Sequence, residues 1–179
     1  GSAAARARAR LRWRKLARHT ARILPRFTAC TVASEVERAL VRSAAPAYDG
    51  VHVLPNAVDL EPVPPVERER AENRILFAGA SSFAANREGI DWFVRRVLPH
   101  IQRRRPTVEV WLTGGSPPPL AAAGVRHLGW VEDIRAVVAS ATVSIAPILT
   151  GAGTRLKILE AMALGTPVVA TSKGAEGLE

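Results

Sequence analysis

The ten residues Gly151-Ala152-Gly153-Thr154-Arg155-Leu156-Lys157-Ile158-Leu159-Glu160 bring two glycines, two cations and a carboxylate into one short stretch. They follow an apolar run, Val143–Pro147 (VSIAP), and open an expected helix over Thr154–Leu164. Glycines let a backbone approach a ligand closely. The first N–H groups of a helix have no internal partner and lie at its positive end. Such a turn suits a phosphate, and in open α/β sheets ligands bind where strands end at their carboxyl side.

The side chains extend that reading. Lys157 and Glu160 are three residues apart and share a helix face. Arg155 is expected in the first turn, curling over the phosphate, with Leu156, Leu159 and Ala163 toward the core. Arg155 or Lys157 would neutralise charge on a departing diphosphate. Glu160 could accept hydrogen bonds from two neighbouring hydroxyls, as on a ribose. The competing reading is an ordinary amphipathic helix with a surface Lys–Glu pair.

The elements that must position these residues are regular after residue 73. Expected strands are Arg74–Ala78, Val108–Thr113, Val125–Leu128, Val143–Pro147 and Pro167–Ala170. Expected helices are Arg87–Arg104, with Ile90, Phe93, Val94, Val97 and Ile101 on one face, and Ile134–Ser140. Strands alternate with helices and are mostly continuous apolar runs, the mark of a doubly wound parallel α/β sheet.

The earlier part is less regular. Residues 1–26 hold nine Arg or Lys and no acid, whereas residues 27–179 hold 16 of each sign, so the net charge of +9 sits in one N-terminal segment. That segment reads as a helix over 6–24 ended by Pro25. It is either a solvated connector or, with Trp13 among Arg12, Arg14 and Lys15, a helix for an anionic membrane surface or a partner. A balanced remainder argues against nucleic acid. Phe27–Ala33 and Val51–Leu54 read as strands, and Ser34 with Glu37 as a capping box for a helix to about Ser43. The proline- and charge-rich residues 61–73 read as a linker. The resulting domains are 1–26, 27–60, 61–73 and 74–179.

Cys30 is the only cysteine, which excludes an internal disulfide and makes a reducing cytoplasm the expected setting. No apolar run is long enough to span a bilayer. No His/Cys/Asp cluster has metal spacing, so neither metal nor cofactor is expected. His52 and His127 read as structural, His19 and His100 as surface residues. The missing initiator Met and the stop directly after a strand and loop suggest a chain cut at both ends.

A series of motifs then points to a family. They are Leu54-Pro55-Asn56-Ala57-Val58-Asp59, Ile75-Leu76-Phe77-Ala78-Gly79, Asn86, Trp92-Phe93, Leu98-Pro99, Gly129-Trp130-Val131, Ala146-Pro147, Gly151–Thr171 and Gly174–Leu178. In this order they resemble the C-terminal half of GT-B-fold glycosyltransferases, close to the family-4 retaining type, over residues 27–179.

The resemblance implies a Rossmann-like domain that binds a nucleoside-diphosphate sugar, and transfer of that sugar to a glycan or lipid-linked hydroxyl acceptor. It implies a bacterial polysaccharide setting, cytoplasmic or at the inner membrane face. Glu160 would hold the ribose, Gly151, Gly153, Thr154 and Arg155 the diphosphate, and Trp130 and Val131 the base. Gly79 would begin the loop under the phosphates. The pattern departs from the family at Ala152, where a sugar-contacting glutamate is usual. It departs again at Ala80, usually Arg, and near Glu88, where a loop Lys is missing. Arg155 and Lys157 are left to supply that charge. Other classes remain: a donor-binding module without turnover, a GT-B-like epimerase, or nucleic-acid binding through residues 1–26.

Overall fold

Alternating Ala and Arg favour a helix over any other local structure, and α1 (Ala3–Ile23) forms it in a computed structural model of the protein. The model describes residues 3–59, 71–115 and 121–178. A 3-10 turn, Leu24–Arg26, closes α1 where Pro25 cannot extend it. None of the residues of α1 is fully buried, and Leu11, Trp13 and Leu16 are exposed.

Two compact units divide the chain: Gly1–Asn56 with Gly177–Glu179, and Ala57–Glu176. The first unit holds α1, β1 (Cys30–Val32), α2 (Glu35–Ala44) and β2 (Val51–Val53). The two strands pair in parallel, Cys30 opposite Val51. The capping box at α2 is present in a shifted form. Glu37 N–H donates to Ser34 Oγ at 3.2 Å, and the Glu37 carboxylate accepts from Ala33 N–H at 2.8 Å. His52 lies on β2 with its side chain exposed. Residues 61–70 of the expected linker, and 116–119 of the loop after Thr113, lie outside the described residues.

The second unit carries a five-stranded parallel sheet: β3 (Arg74–Phe77), β4 (Glu109–Thr113), β5 (Val125–Gly129), β6 (Val143–Ala146) and β7 (Val168–Ala170). Its strand order is β5-β4-β3-β6-β7. The chain therefore winds outward from β3 in one direction, then returns beside β3 and winds in the other. That reversal leaves a crevice at the carboxyl ends of β3 and β6.

Both sheet faces are covered, which is why the strands read as unbroken apolar runs. Ile75 and Phe77 point to one face, where they meet Ile90, Phe93, Val94 and Leu98. Leu76 points to the other, against Val138, Ala161 and Leu164. Leu76 is fully buried, and truncating it to Ala would cost about 2–5 kcal/mol.

The expected helix 87–104 is a composite. It comprises α3 (Ala84–Trp92), a π-helical turn Phe93–Val97, and α4 (Leu98–Gln102). Pro99 has no N–H and its ring crowds the carbonyl four residues back. The ladder widens just before it, with Leu98 N–H reaching Phe93 C=O. The face Ile90, Phe93, Val94, Val97 and Ile101 meets the sheet as expected. On the other face, α5 (Ile134–Ser140) matches its expected bounds and is capped by Asp133.

The last helix differs from expectation. α6 spans Leu156–Ala163, so Thr154 precedes it and Arg155 is its N-cap, with extended dihedrals. Its buried residues are Ile158 and Ala161, continued by Leu164 beyond its end. Leu156 and Ala163 are exposed and Leu159 is half-buried, which corrects the expected core face. The core stripe at 158, 161 and 164 follows the i, i+3 spacing, and residues 156, 159 and 163 fall on the opposite side.

Candidate functional site

Gly79 ends β3 with φ +154°, a backbone state that side chains disfavour. The next loop over, after β4, presses against it. At Gly114, φ +102°, an added Cβ would lie 2.7 Å from Ala80 Cα. Gly114 N–H also donates to Gly129 C=O at 2.8 Å, which holds the loops after β4 and β5 together. Three strand ends thus form one floor.

Lys157 closes the site from α6. Its half-buried side chain runs toward β3. The Nζ sits 4.3 Å from the centre of the Phe77 ring, and it donates to Asn86 Oδ1 at 3.3 Å. A Cβ added at Gly79 would lie 2.5 Å from it. Burial first, and then the nearby Arg155 charge, bring the Lys157 pKa down to about 8 against the opposing pull of Glu160.

Asn86, on α3, completes the link: its Nδ2 donates to Ala80 C=O at 2.9 Å. Lys157 and Glu160, with Gly79, Ala80, Thr113, Gly114, Gly115, Trp130, Val131 and Glu132, line a cleft of about 440 Å³. Trp130 is 85% exposed, so its indole is open to a ligand. Glu160 is also exposed and borders a second cleft of about 810 Å³, which includes Asp59, Glu132, Asp133, Ile134 and Arg135. A tight ion pair with Arg135 holds the Asp133 carboxyl below the usual range.

Five of the residues expected at the site therefore meet: Gly79, Trp130, Val131, Lys157 and Glu160. Gly151, Gly153, Thr154 and Arg155 occupy the neighbouring loop and are not among the lining residues. Gly151 (φ +108°) and Gly153 (φ +88°) shape its turn. Arg155 does not curl over the cleft. Its guanidinium donates to Ala152 C=O at 2.7 Å and to Gly153 C=O, so it braces its own loop. Of the two cations expected to replace the missing positive charge, Lys157 reaches the Gly79 loop. Near Glu88, where a loop lysine was expected to be missing, the Glu88 carboxylate accepts from Thr150 Oγ1 at 2.5 Å and ties α3 to the loop after β6.

The sequence reading assigned no role to Asn86, Thr113, Gly114, Gly115 or Glu132. The Gly114-Gly115 pair directly after an apolar strand was the available signal, since ligands gather at strand carboxyl ends. Among the described residues, no group of three or more His, Cys, Asp or Glu could hold a metal ion. No helix among them is long and apolar enough to cross a membrane.

Comparison with known proteins agrees with the fold. TarM matches with a TM-score of 0.71 at 14% identity, over 85% of this chain and 31% of that one. HepE from Anabaena, in complex with UDP and glucose, matches with a TM-score of 0.68 at 19% identity, over 90% of this chain and 50% of that one. An uncharacterized 44.6 kDa protein in the cps region of Klebsiella pneumoniae is 26% identical in a 116-residue alignment that covers 58% of this chain and 30% of that protein. The chain thus spans half or less of the length of each. The model of the family "Glycosyl transferases group 1" matches residues 72–179, more than half of the sequence. The fold, the cleft at the strand reversal and this match agree: the chain belongs to the group 1 glycosyl transferases.

Proposed function

We propose that the second unit binds the donor of a glycosyltransferase reaction, a nucleoside diphosphate carrying the sugar to be transferred. The observation that carries this reading is the approach of Lys157 to Gly79 across the crevice between β3 and β6. A cation over a glycine floor at strand ends suits a diphosphate. Glu160, one helical turn away, would take the two ribose hydroxyls, and the exposed Trp130 the base; both line the same cleft. Gly151, Gly153 and Thr154 would then shape the wall of the site, with Arg155 bracing it.

In the reaction, Lys157 would offset the charge that builds on the diphosphate as the sugar leaves. The protein supplies electrostatics here rather than a nucleophile, and no metal is needed for that role. Crystal structures of similar folds support the donor class: HepE was crystallised with UDP and with UDP-glucose, and S. aureus TarM with UDP. The cps-region relative supports a bacterial polysaccharide setting. Retention of configuration and a glycan or lipid-linked acceptor follow from the resemblance to the family-4 type.

Calorimetry with UDP, GDP and their sugars tests the reading. Saturable binding of a nucleoside diphosphate that is weakened in Glu160→Ala and Lys157→Ala, without unfolding, is the expected result. Unchanged affinity in both variants would defeat the assignment. A transfer assay beside it separates turnover from binding alone. For residues 1–26, placement at the cytoplasmic face of an anionic membrane predicts flotation with anionic liposomes that is lost when the segment is removed.

A further inference from the structure

We infer that Asn86 is the positioning residue of this site: its neutral amide holds Lys157 over the Gly79 loop and releases it to an arriving phosphate. The inference rests on the donor-site reading and adds a residue to which that reading gives no role.

The geometry is a two-sided clamp. Asn86 Nδ2 donates to Ala80 C=O at 2.9 Å, which fixes the loop after β3. Asn86 Oδ1 accepts from Lys157 Nζ at 3.3 Å. An added Cβ at Gly79 would lie 3.0 Å from Asn86 Nδ2, so amide, glycine and ammonium crowd one point. One side chain from α3 thereby couples the phosphate floor to the cation from α6.

An amide is chemically suited to this post. It can donate on one side and accept on the other, which neither a carboxylate nor an aliphatic side chain can do. Its neutrality matters as much. A carboxylate at this distance would pair with the half-buried ammonium and spend the charge that a phosphate needs. The contact to Oδ1 is long for a hydrogen bond, so a phosphate oxygen can displace it. The other charged groups near Lys157 are Arg155, Glu160 and, in the same cleft, Glu132. The ammonium directs its hydrogen bond to Asn86 Oδ1, so Asn86 sets its direction.

Asn86→Asp and Asn86→Ala test the clamp, each alone and combined with Lys157→Met. UDP and GDP affinities are measured by calorimetry from pH 6.5 to 9.5. The Lys157 ammonium is titrated by NMR in the unliganded protein. Asn86→Asp is expected to weaken nucleotide binding roughly tenfold, the size of one charged hydrogen bond. It is also expected to raise the Lys157 midpoint. Asn86→Ala should weaken binding severalfold. Neither should weaken it further once Lys157 is Met, because the effect runs through that residue. Retained thermal unfolding separates these effects from misfolding, and an affinity loss that disappears once Lys157 is Met is one that a merely structural asparagine would not produce.

Nucleotide binding by the unaltered protein with unchanged affinity and midpoint in both Asn86 variants would overturn the inference and leave the donor site standing. So would losses that simply add in the double variants. Failure of the unaltered protein to bind any nucleoside diphosphate would overturn the donor-site reading, and the positioning role with it.

Discussion

The ammonium of Lys157 stands 2.5 Å from where a Cβ on Gly79 would sit, although the two residues belong to different strand–helix units. A methyl there must displace the cation, and it must also adopt φ +154°.

Gly79→Ala is therefore expected to cost about 1–3 kcal/mol of stability through backbone strain, and to weaken nucleotide binding as well. Gly115→Ala is the control from the same cleft. Its Cβ would meet nothing within 4 Å, so its effect should stay within about 0.5 kcal/mol. Thermal unfolding and calorimetry on both variants check the pair.

Stability and affinity should move in opposite directions with pH. Folding lowers the Lys157 pKa to about 8. Above that value the folded protein has released a proton that the unfolded chain still holds, up to the ordinary lysine range. Stability therefore rises as pH increases from about 8 toward that range. Nucleotide affinity falls over the same rise, because the cation is lost. Lys157→Met should abolish the Lys157 contribution to both slopes. Denaturant unfolding and binding measured across pH 7–10 would show it.

Trp130→Ala should weaken nucleotide binding by about 1 kcal/mol, typical of an aromatic contact, with little change in melting temperature. The indole is 85% exposed and contributes little to the core. Nucleotide should also alter tryptophan fluorescence in the unaltered protein by more than in this variant.

In the first unit, Ser34→Ala should destabilise by about 1 kcal/mol, because it removes the acceptor for Glu37 N–H. Glu37→Ala removes the other arm, to Ala33 N–H. Each variant should also weaken the contribution of the remaining arm, so their costs should not add. Chemical denaturation of the single and double variants measures this.

Much of the second unit was legible in the sequence because one physical pattern governs it. Strands buried on both faces must be continuously apolar, and RILF, VEVWLT and VSIAP are. Of the five expected residues that line the cleft, Lys157 and Glu160 were read from the charges that open a helix, whereas Gly79, Trp130 and Val131 came from the family resemblance. Arg155 was misplaced for a local reason: the helix begins at Leu156, and periodicity does not register a two-residue delay. That delay turned the core face from 156, 159 and 163 to 158, 161 and 164. The π turn before Pro99 was missed because its cause, a missing donor, widens a helix without breaking its apolar stripe. Asn86 had no visible role because its meaning is spatial. A lone asparagine early in a helix acquires a function only when residue 157 is beside it.

The reversal of winding at β3 has a consequence for the order in which the protein becomes competent. Asn86 and Lys157 are 71 residues apart in the chain. β3 and β4 can pair well before β6 is available, but the Gly79 loop meets the Lys157 ammonium only once β6 has docked and α6 has folded. Closing a loop over that span precedes the contact. Nucleotide would then bind only chains that have completed the sheet. A nucleotide bound there would stabilise such chains by mass action, so its stabilisation would report a completed sheet.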